Sequence, residues 1–104
     1  MIFYSTKAYM VPEKKICDYI ILKLNNICKN NPQKFTETTQ LIGESRSIKS
    51  AELVELLLSL EEYVEDNLNG KFDWTGDTAM SERRSILRTV KTLTEHIYNL
   101  QDKQ

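Results

Sequence analysis

Few side chains in this chain could carry nucleophilic or metal chemistry. It has a single histidine, His96, and two cysteines, Cys17 and Cys28. A cysteine nucleophile needs a base within hydrogen-bond reach, and apolar neighbours raise the pKa of a thiol instead of lowering it. One histidine cannot build a zinc site of familiar spacing. We therefore expect no catalytic residue, no metal ligand and no cofactor, and we interpret His96 as an exposed or hydrogen-bonded helix residue.

A second group of candidates is a run of acidic side chains: Glu61, Glu62, Glu65 and Asp66. Residues three and four apart share a helix face, so these carboxylates could pair for acid–base work or bind a metal ion. Di-metal sites in helical bundles need glutamates that point into the core and a Glu-x-x-His partner. The four carboxylates lie largely off the apolar seam of their helix, which favours a solvated acidic face.

The glycines give no sign of a nucleotide site. Gly43, Gly70 and Gly76 are isolated, whereas a phosphate-binding loop needs clustered glycines followed by a lysine and a hydroxyl residue. Together with the sparse histidine and cysteine content, this predicts that the protein is not an enzyme.

One long helix and one short helix are predicted in the first half of the chain. The long helix covers residues 12–30, from Pro12 to the turn signal at Asn30-Asn31-Pro32. A short helix over 35–42 precedes Gly43, although the threonines there also suit extended structure. Residues 1–11 are apolar enough to pack on the other helices as a strand, an extended arm or a turn of helix.

Two long helices are predicted in the second half. Candidate N-caps are Ser47 or Ser50 for the third helix, and Asp77, Thr78 or Ser81 for the last. Apolar residues alternate four and three apart in both helices, which favours left-handed antiparallel packing. The fold class is therefore all-α, a small antiparallel helical bundle of three long helices plus one short helix with an apolar N-terminal arm. The 104 residues suffice for one domain, 1–104.

A core is expected where the last two long helices meet. Its residues would be Leu57, Leu60, Val64, Val90, Leu93 and Ile97, with Ile20 and Leu24 packing across them. The two cysteines, in the first helix, are eleven residues apart, or about 16 Å, beyond the roughly 7 Å that a disulfide spans. Reduced thiols are typical of a cytoplasmic protein. The apolar runs 19–22 and 56–58 are too short for a membrane anchor.

Charge is distributed unevenly, although the net charge is only -1. Residues 1–50 hold eight basic and four acidic residues, whereas residues 51–104 hold six basic and eleven acidic ones. No Lys or Arg lies between positions 50 and 70 to offset the acidic third helix. Compensation must come from a basic partner or from the last helix, whose candidates are Arg83, Arg84, Arg88 and Lys91.

The connection between the last two helices holds Phe72 and the only tryptophan, Trp74. Aromatic residues in such a loop either plug the end of a bundle or anchor a partner. If exposed, they would continue the acidic face as one surface. The predicted partner-binding residues are Glu61, Glu62, Glu65, Asp66, Phe72 and Trp74.

These observations favour a small cytoplasmic protein-binding module, a monomer or homodimer that neutralises or regulates a partner with a basic surface. A toxin immunity protein and an antitoxin-like or phage-type inhibitor belong to this class. An acidic inhibitor suits a basic active site because complementary fields speed encounter and fix register. The near-neutral charge disfavours non-specific nucleic-acid binding.

Two alternatives remain open. A DNA-binding regulator would use a helix-turn-helix made of the short helix, a turn at 43–45 and a recognition helix from Ser47, with Arg46 and Lys49 on phosphates. The carboxylates that follow along the recognition helix would be repelled by the duplex. A self-associating chaperone or structural protein would instead bury an exposed apolar seam between two copies.

Overall fold

The computed structural model describes residues 11–29, 33–68, 70–74 and 80–101, and over them the predicted all-α class is confirmed. The helices are α1 (Glu13–Ile27), α2 (Ser50–Tyr63), α3 (Met80–Ile86) and α4 (Val90–Leu100). A π-helical turn, Val64–Leu68, continues α2. This part of the chain contains no β-strand, and its extended pairing is an isolated bridge between Gln40 and Thr89.

Helix α1 is the common partner of the other long helices. Its fully buried residues are Ile16, Ile20 and Leu24. The sequence placed the core where α2 and α4 meet, but α1 packs against both, and within the described chain α2 and α4 contact each other far less. The reason is that α1 is apolar on both flanks of its buried stripe. On one flank Tyr19 stacks on Tyr63 of α2, with ring centroids 4.1 Å apart, and on the other Cys17 lies against α4.

The residues predicted for the core are nevertheless all buried. Leu57, Leu60, Val64, Val90, Leu93, Ile97, Ile20 and Leu24 are each at most 2% exposed. Helical periodicity therefore identified the correct side chains, although the main interfaces of the core are those of α1 with α2 and with α4.

The last long helix of the sequence prediction is two helices in the structure, α3 and α4. Thr89 ends the break between them as the N-cap of α4, because its Oγ1 accepts a hydrogen bond from the Thr92 N–H at 3.2 Å. In return Thr92 Oγ1 accepts from the Thr89 N–H at 3.0 Å, which completes a capping box. Of the predicted caps, Ser81 lies inside α3, and Asp77 and Thr78 lie outside the described residues.

The short helix predicted over 35–42 is absent, and this segment instead covers the N-terminus of α4. The Val90 N–H donates to the Thr39 carbonyl at 3.1 Å, and the Lys91 N–H donates to the Glu37 carbonyl at 2.8 Å. These amides have no hydrogen-bond acceptor within α4, so the two carbonyls of this segment supply one for each. With no helix over 33–49, the first helix of the proposed helix-turn-helix is also missing.

The start of α2 also differs from the prediction. Ser50 is its first residue and Lys49 occupies the N-cap position, where the Lys49 N–H donates to Glu52 Oε1 at 2.8 Å. Ser47 instead pairs its N–H with the Gln40 carbonyl at 2.9 Å. Neither predicted serine is therefore the cap.

The beginning of the described chain is attached to its end. Gln101 Oε1 accepts from the Val11 N–H at 2.6 Å, and Gln101 Nε2 donates to the Val11 carbonyl at 3.0 Å. Val11 packs against the core. The other residues of the predicted N-terminal arm, 1–10, lie outside the described ranges.

Candidate functional site

The four predicted carboxylates cluster where α2 ends. Glu61 is half-buried in the last turn of α2, next to exposed Glu62, while Glu65 and Asp66 are both exposed in the π-helical turn. The wider π turn has the side chain of Leu68 at 5% exposure and that of Val64 at 0%. The core is thus kept covered while both carboxylates face solvent.

This acidic end has no counter-charge in the described part of the chain. No Lys or Arg there forms an ion pair of 4.0 Å or less with any of the four carboxylates. The predicted cross-helix partners Arg84, Arg88 and Lys91 are exposed. The carboxylates also sit near the C-terminal end of a helix, where the helix dipole disfavours negative charge. A negative field is consequently available to a partner.

The two predicted aromatic residues are placed differently from each other. Phe72 is only 2% exposed, and its ring tilts against His96 with a centroid distance of 5.8 Å. Trp74 is half-buried, and its buried indole Nε1 meets no acceptor in the described residues. Phe72 therefore plugs the core and offers almost no surface, whereas Trp74 retains some.

A cavity of about 100 Å³ lies beside these rings. It is lined by Phe72, Asp73, Trp74, Glu82, Arg83, Ile86, Leu87 and His96. None of the four acidic residues reaches it. The structure thus brings Glu61, Glu62, Glu65 and Asp66 together and brings Phe72 and Trp74 together, but it does not join the two groups through this cavity.

The thiols and the imidazole occupy different surroundings. Cys17 lies against Thr94 of α4, and Thr94 is two residues from His96, a spacing that points side chains to different faces of a helix. His96 instead meets Phe72. Cys28 lies beside Glu52 of α2. Each thiol therefore lies among different neighbours from those that surround the His96 ring.

Burial controls the ionisation of both thiols. Burial, together with the nearby Glu52 and Glu55 carboxylates, raises the pKa of Cys28 to about 11. Burial also raises the pKa of Cys17, although the Thr94 hydroxyl partly offsets this. That hydroxyl makes no hydrogen bond of ordinary geometry in the described chain. Since the thiolate is the nucleophile, both cysteines are protonated and unreactive near neutral pH.

We expect the double variant Cys17→Ser and Cys28→Ala to keep partner binding while changing stability by only about 1 kcal/mol. As pH rises into the alkaline range, the double variant should also lose less of its free energy of unfolding than the wild type loses. The raised pKa of Cys28 stabilises the folded wild type below the usual thiol pKa, and this contribution is lost as pH rises towards about 11. Urea unfolding at a series of pH values measures the difference.

Tyr19 and Tyr63 serve as internal controls, because burial raises the pKa of each and both remain in the double variant. Their alkaline effect should be common to both proteins. A folded double variant that no longer binds its partner would contradict a purely structural role for the thiols.

Sequence reasoning missed two exposed apolar residues on α2. Val54 is 44% exposed and Leu58 is 53% exposed, and neither packs on the core. Both fall outside the 53–57–60–64 spacing of the predicted seam, but so does Leu56, which is 0% exposed, so the spacing alone does not single them out. Leu22 of α1, at 57%, is similarly exposed.

The described ranges contain neither a metal site nor a membrane-spanning helix. No group of three His, Cys, Asp or Glu side chains there has a metal-binding arrangement. None of the described helices combines the length and apolar character needed to cross a bilayer. No known family model matches the chain, and neither a curated protein nor a solved structure shows significant similarity to it.

Proposed function

We propose that this chain is a small protein-binding module that neutralises or regulates a partner with a basic surface, as a toxin immunity protein or an antitoxin-like or phage-type inhibitor does. The observation that carries the proposal is the acidic end of α2, where Glu62, Glu65 and Asp66 are exposed beside half-buried Glu61 and none of the four has a counter-charge in the described chain. The proposed site of action is the cytoplasm, which the two free cysteines support.

The acidic end would act mainly on the rate of encounter. Complementary charge raises association rate constants from about 10⁵–10⁶ to as much as roughly 10⁸–10⁹ M⁻¹s⁻¹ at low salt. A buried aromatic anchor acts mainly on dissociation, because it is released only when its contacts break. Among the predicted aromatic residues this role fits Trp74, since Phe72 is already buried in the monomer.

We also propose an antiparallel bundle in which α1, α2 and α4 are the three long helices, and in which the short helix is α3 instead of the 35–42 segment. Two contacts between α1 and α2 support it, because Tyr19 near the middle of α1 stacks on Tyr63 at the end of α2, and Cys28 just after α1 lies beside Glu52 early in α2. The hydrogen bonds between Val11, just before α1, and Gln101, just after α4, support an antiparallel arrangement of these two helices as well. The acidic end of α2 then lies towards the start of α1.

Self-association is a second candidate function. The exposed apolar residues Leu22, Val54 and Leu58 favour it, since such side chains are candidates for burial between two copies. DNA binding is weaker, because the segment proposed as the first helix of a helix-turn-helix is not helical. Sedimentation at several concentrations separates a monomeric module from a homodimer.

The proposed function predicts a specific loss on charge reversal. Wild-type chain immobilised on a support should retain a basic protein from a lysate of the source cell. The triple variant Glu61→Lys, Glu62→Lys and Glu65→Lys should bind that protein with association slowed at least tenfold at low salt, and its rate should depend less on salt. Trp74→Ala should mainly speed dissociation. Stopped-flow or surface-based kinetics at two salt concentrations measure these effects.

The matched control is Glu37→Lys, Glu44→Lys and Glu95→Lys, which changes net charge equally at exposed positions outside α2. It should retain most of the wild-type association rate. Equal losses in the two triple variants would show that only net charge matters. Wild-type rates in a folded Glu61, Glu62 and Glu65 variant would move the binding surface to the exposed basic residues of the last two helices.

A further inference from the structure

We infer that the partner docks an amphipathic helix along one exposed face of α2, with apolar side chains over Val54 and Leu58 and with Lys or Arg side chains over Glu62 and Asp66. This inference rests on the proposed function, because it uses the same acidic end. It adds the class of the partner segment and the order of its side chains.

The face is continuous along the helix. Val54, Leu58, Glu62 and Asp66 follow one another at intervals of four residues, so they lie one above another. At about 1.5 Å per residue this stripe is about 18 Å long. All four side chains are exposed. The length corresponds to about three turns of a partner helix.

The described structure leaves this face uncovered. Helix α1 packs on another side of α2, where Tyr19 meets Ser59 and Tyr63. The core takes the side of Leu56, Leu57 and Leu60. By helical geometry, Val54 and Leu58 lie on neither of these sides. Among the described residues the stripe is therefore an unpartnered helix face with its own chemistry.

The chemistry of the stripe changes along its length, and this change selects the occupant. Its first half is apolar and its second half is acidic, so a complementary segment is apolar and then basic at the same spacing. A second copy fits poorly, because antiparallel pairing centred on Leu58 would press Glu62 against Val54 and desolvate an unpaired carboxylate. An anionic lipid surface would be repelled by the acidic half.

The test uses a stapled helical peptide about 18 residues long, with Leu at two positions one turn apart and Lys at the two following turns. Two companion peptides replace either both Leu with Ala or both Lys with Gln. We expect the Leu–Lys peptide to bind, and Leu58→Gln to weaken it about tenfold. The matched control Leu22→Gln alters an equally exposed leucine on α1 and should leave binding unchanged. Isothermal titration calorimetry measures each affinity.

The companion peptides separate this inference from the proposed function. Equal binding of the Ala–Lys and Leu–Lys peptides would overturn the inference and leave recognition of basic partners standing. Equal binding of the Leu–Gln and Leu–Lys peptides would overturn both. Support requires that the effect of Leu58→Gln disappear with the Ala–Lys peptide, as expected for two groups in direct contact. A wild-type dimer that Leu58→Gln converts to a monomer would show that a second copy is the occupant and overturn the inference.

Discussion

Replacing Phe72 with Ala is expected to lower the free energy of unfolding by about 3 to 5 kcal/mol. The side chain is 2% exposed, and its ring lies against His96 with centroids 5.8 Å apart. Truncation removes a large apolar group and leaves a void that the surrounding helices can fill only in part. Because a domain of this size is stable by about 5 to 15 kcal/mol, the loss is a large share of the total.

Urea unfolding followed by circular dichroism measures this effect, with Leu58→Ala as the control. Leu58 is 53% exposed, so its truncation should change stability by no more than about 0.5 kcal/mol. The experiment also separates the two roles considered for Phe72. Wild-type stability combined with lost partner binding would show that the ring is an anchor and not part of the core.

Truncation of Leu60 or Leu93 to Ala is expected to cost about 2 to 5 kcal/mol each. Both side chains are 0% exposed, and they belong to α2 and α4, the two helices that pack on α1. Each substitution therefore opens a void at a different interface of the same core. The spread of expected values reflects how far each site can collapse around the missing atoms.

The urea midpoint is the measured quantity for both variants, and Leu58→Ala is again the control because it lies on the same helix as Leu60. An unchanged midpoint in Leu60→Ala would contradict the packing of α2 on α1. The double variant Leu60→Ala and Leu93→Ala adds information. Its loss should be close to the combined single losses if the two interfaces are independent, and it should depart from that value if they share one cavity.

The acidic site was predictable from sequence to the extent that its chemistry is local. The absence of Lys and Arg between positions 50 and 70 is a property of the chain itself, and the structure adds no described counter-charge to the four carboxylates. The aromatic half of the predicted surface was not predictable in this way. Whether an aromatic ring in a loop is buried depends on the residues that the fold places around it. Phe72 packs beside His96, which lies much later in the chain.

The sequence by itself determined the helical class and the eight core side chains that its periodicity predicted. An α-helix repeats every 3.6 residues, so a buried stripe such as Ile16, Ile20 and Leu24 can be recognised without knowing which helix packs on it. The start of α4 was predictable from the sequence only in part. Thr89 is a typical N-cap residue, but the continuous apolar spacing across the break predicted one helix through it.

Tertiary structure alone decided which helices meet and where the last one divides. The amides at the start of α4 are satisfied by the carbonyls of Glu37 and Thr39, which lie far earlier in the chain. That long-range pairing keeps residues 37–41 out of a helix and favours the break before Val90. Likewise α1, and not α4, became the main partner of α2, because both flanks of α1 are apolar. A helical period specifies which face is buried, whereas the choice of partner is made by the packing of distant surfaces.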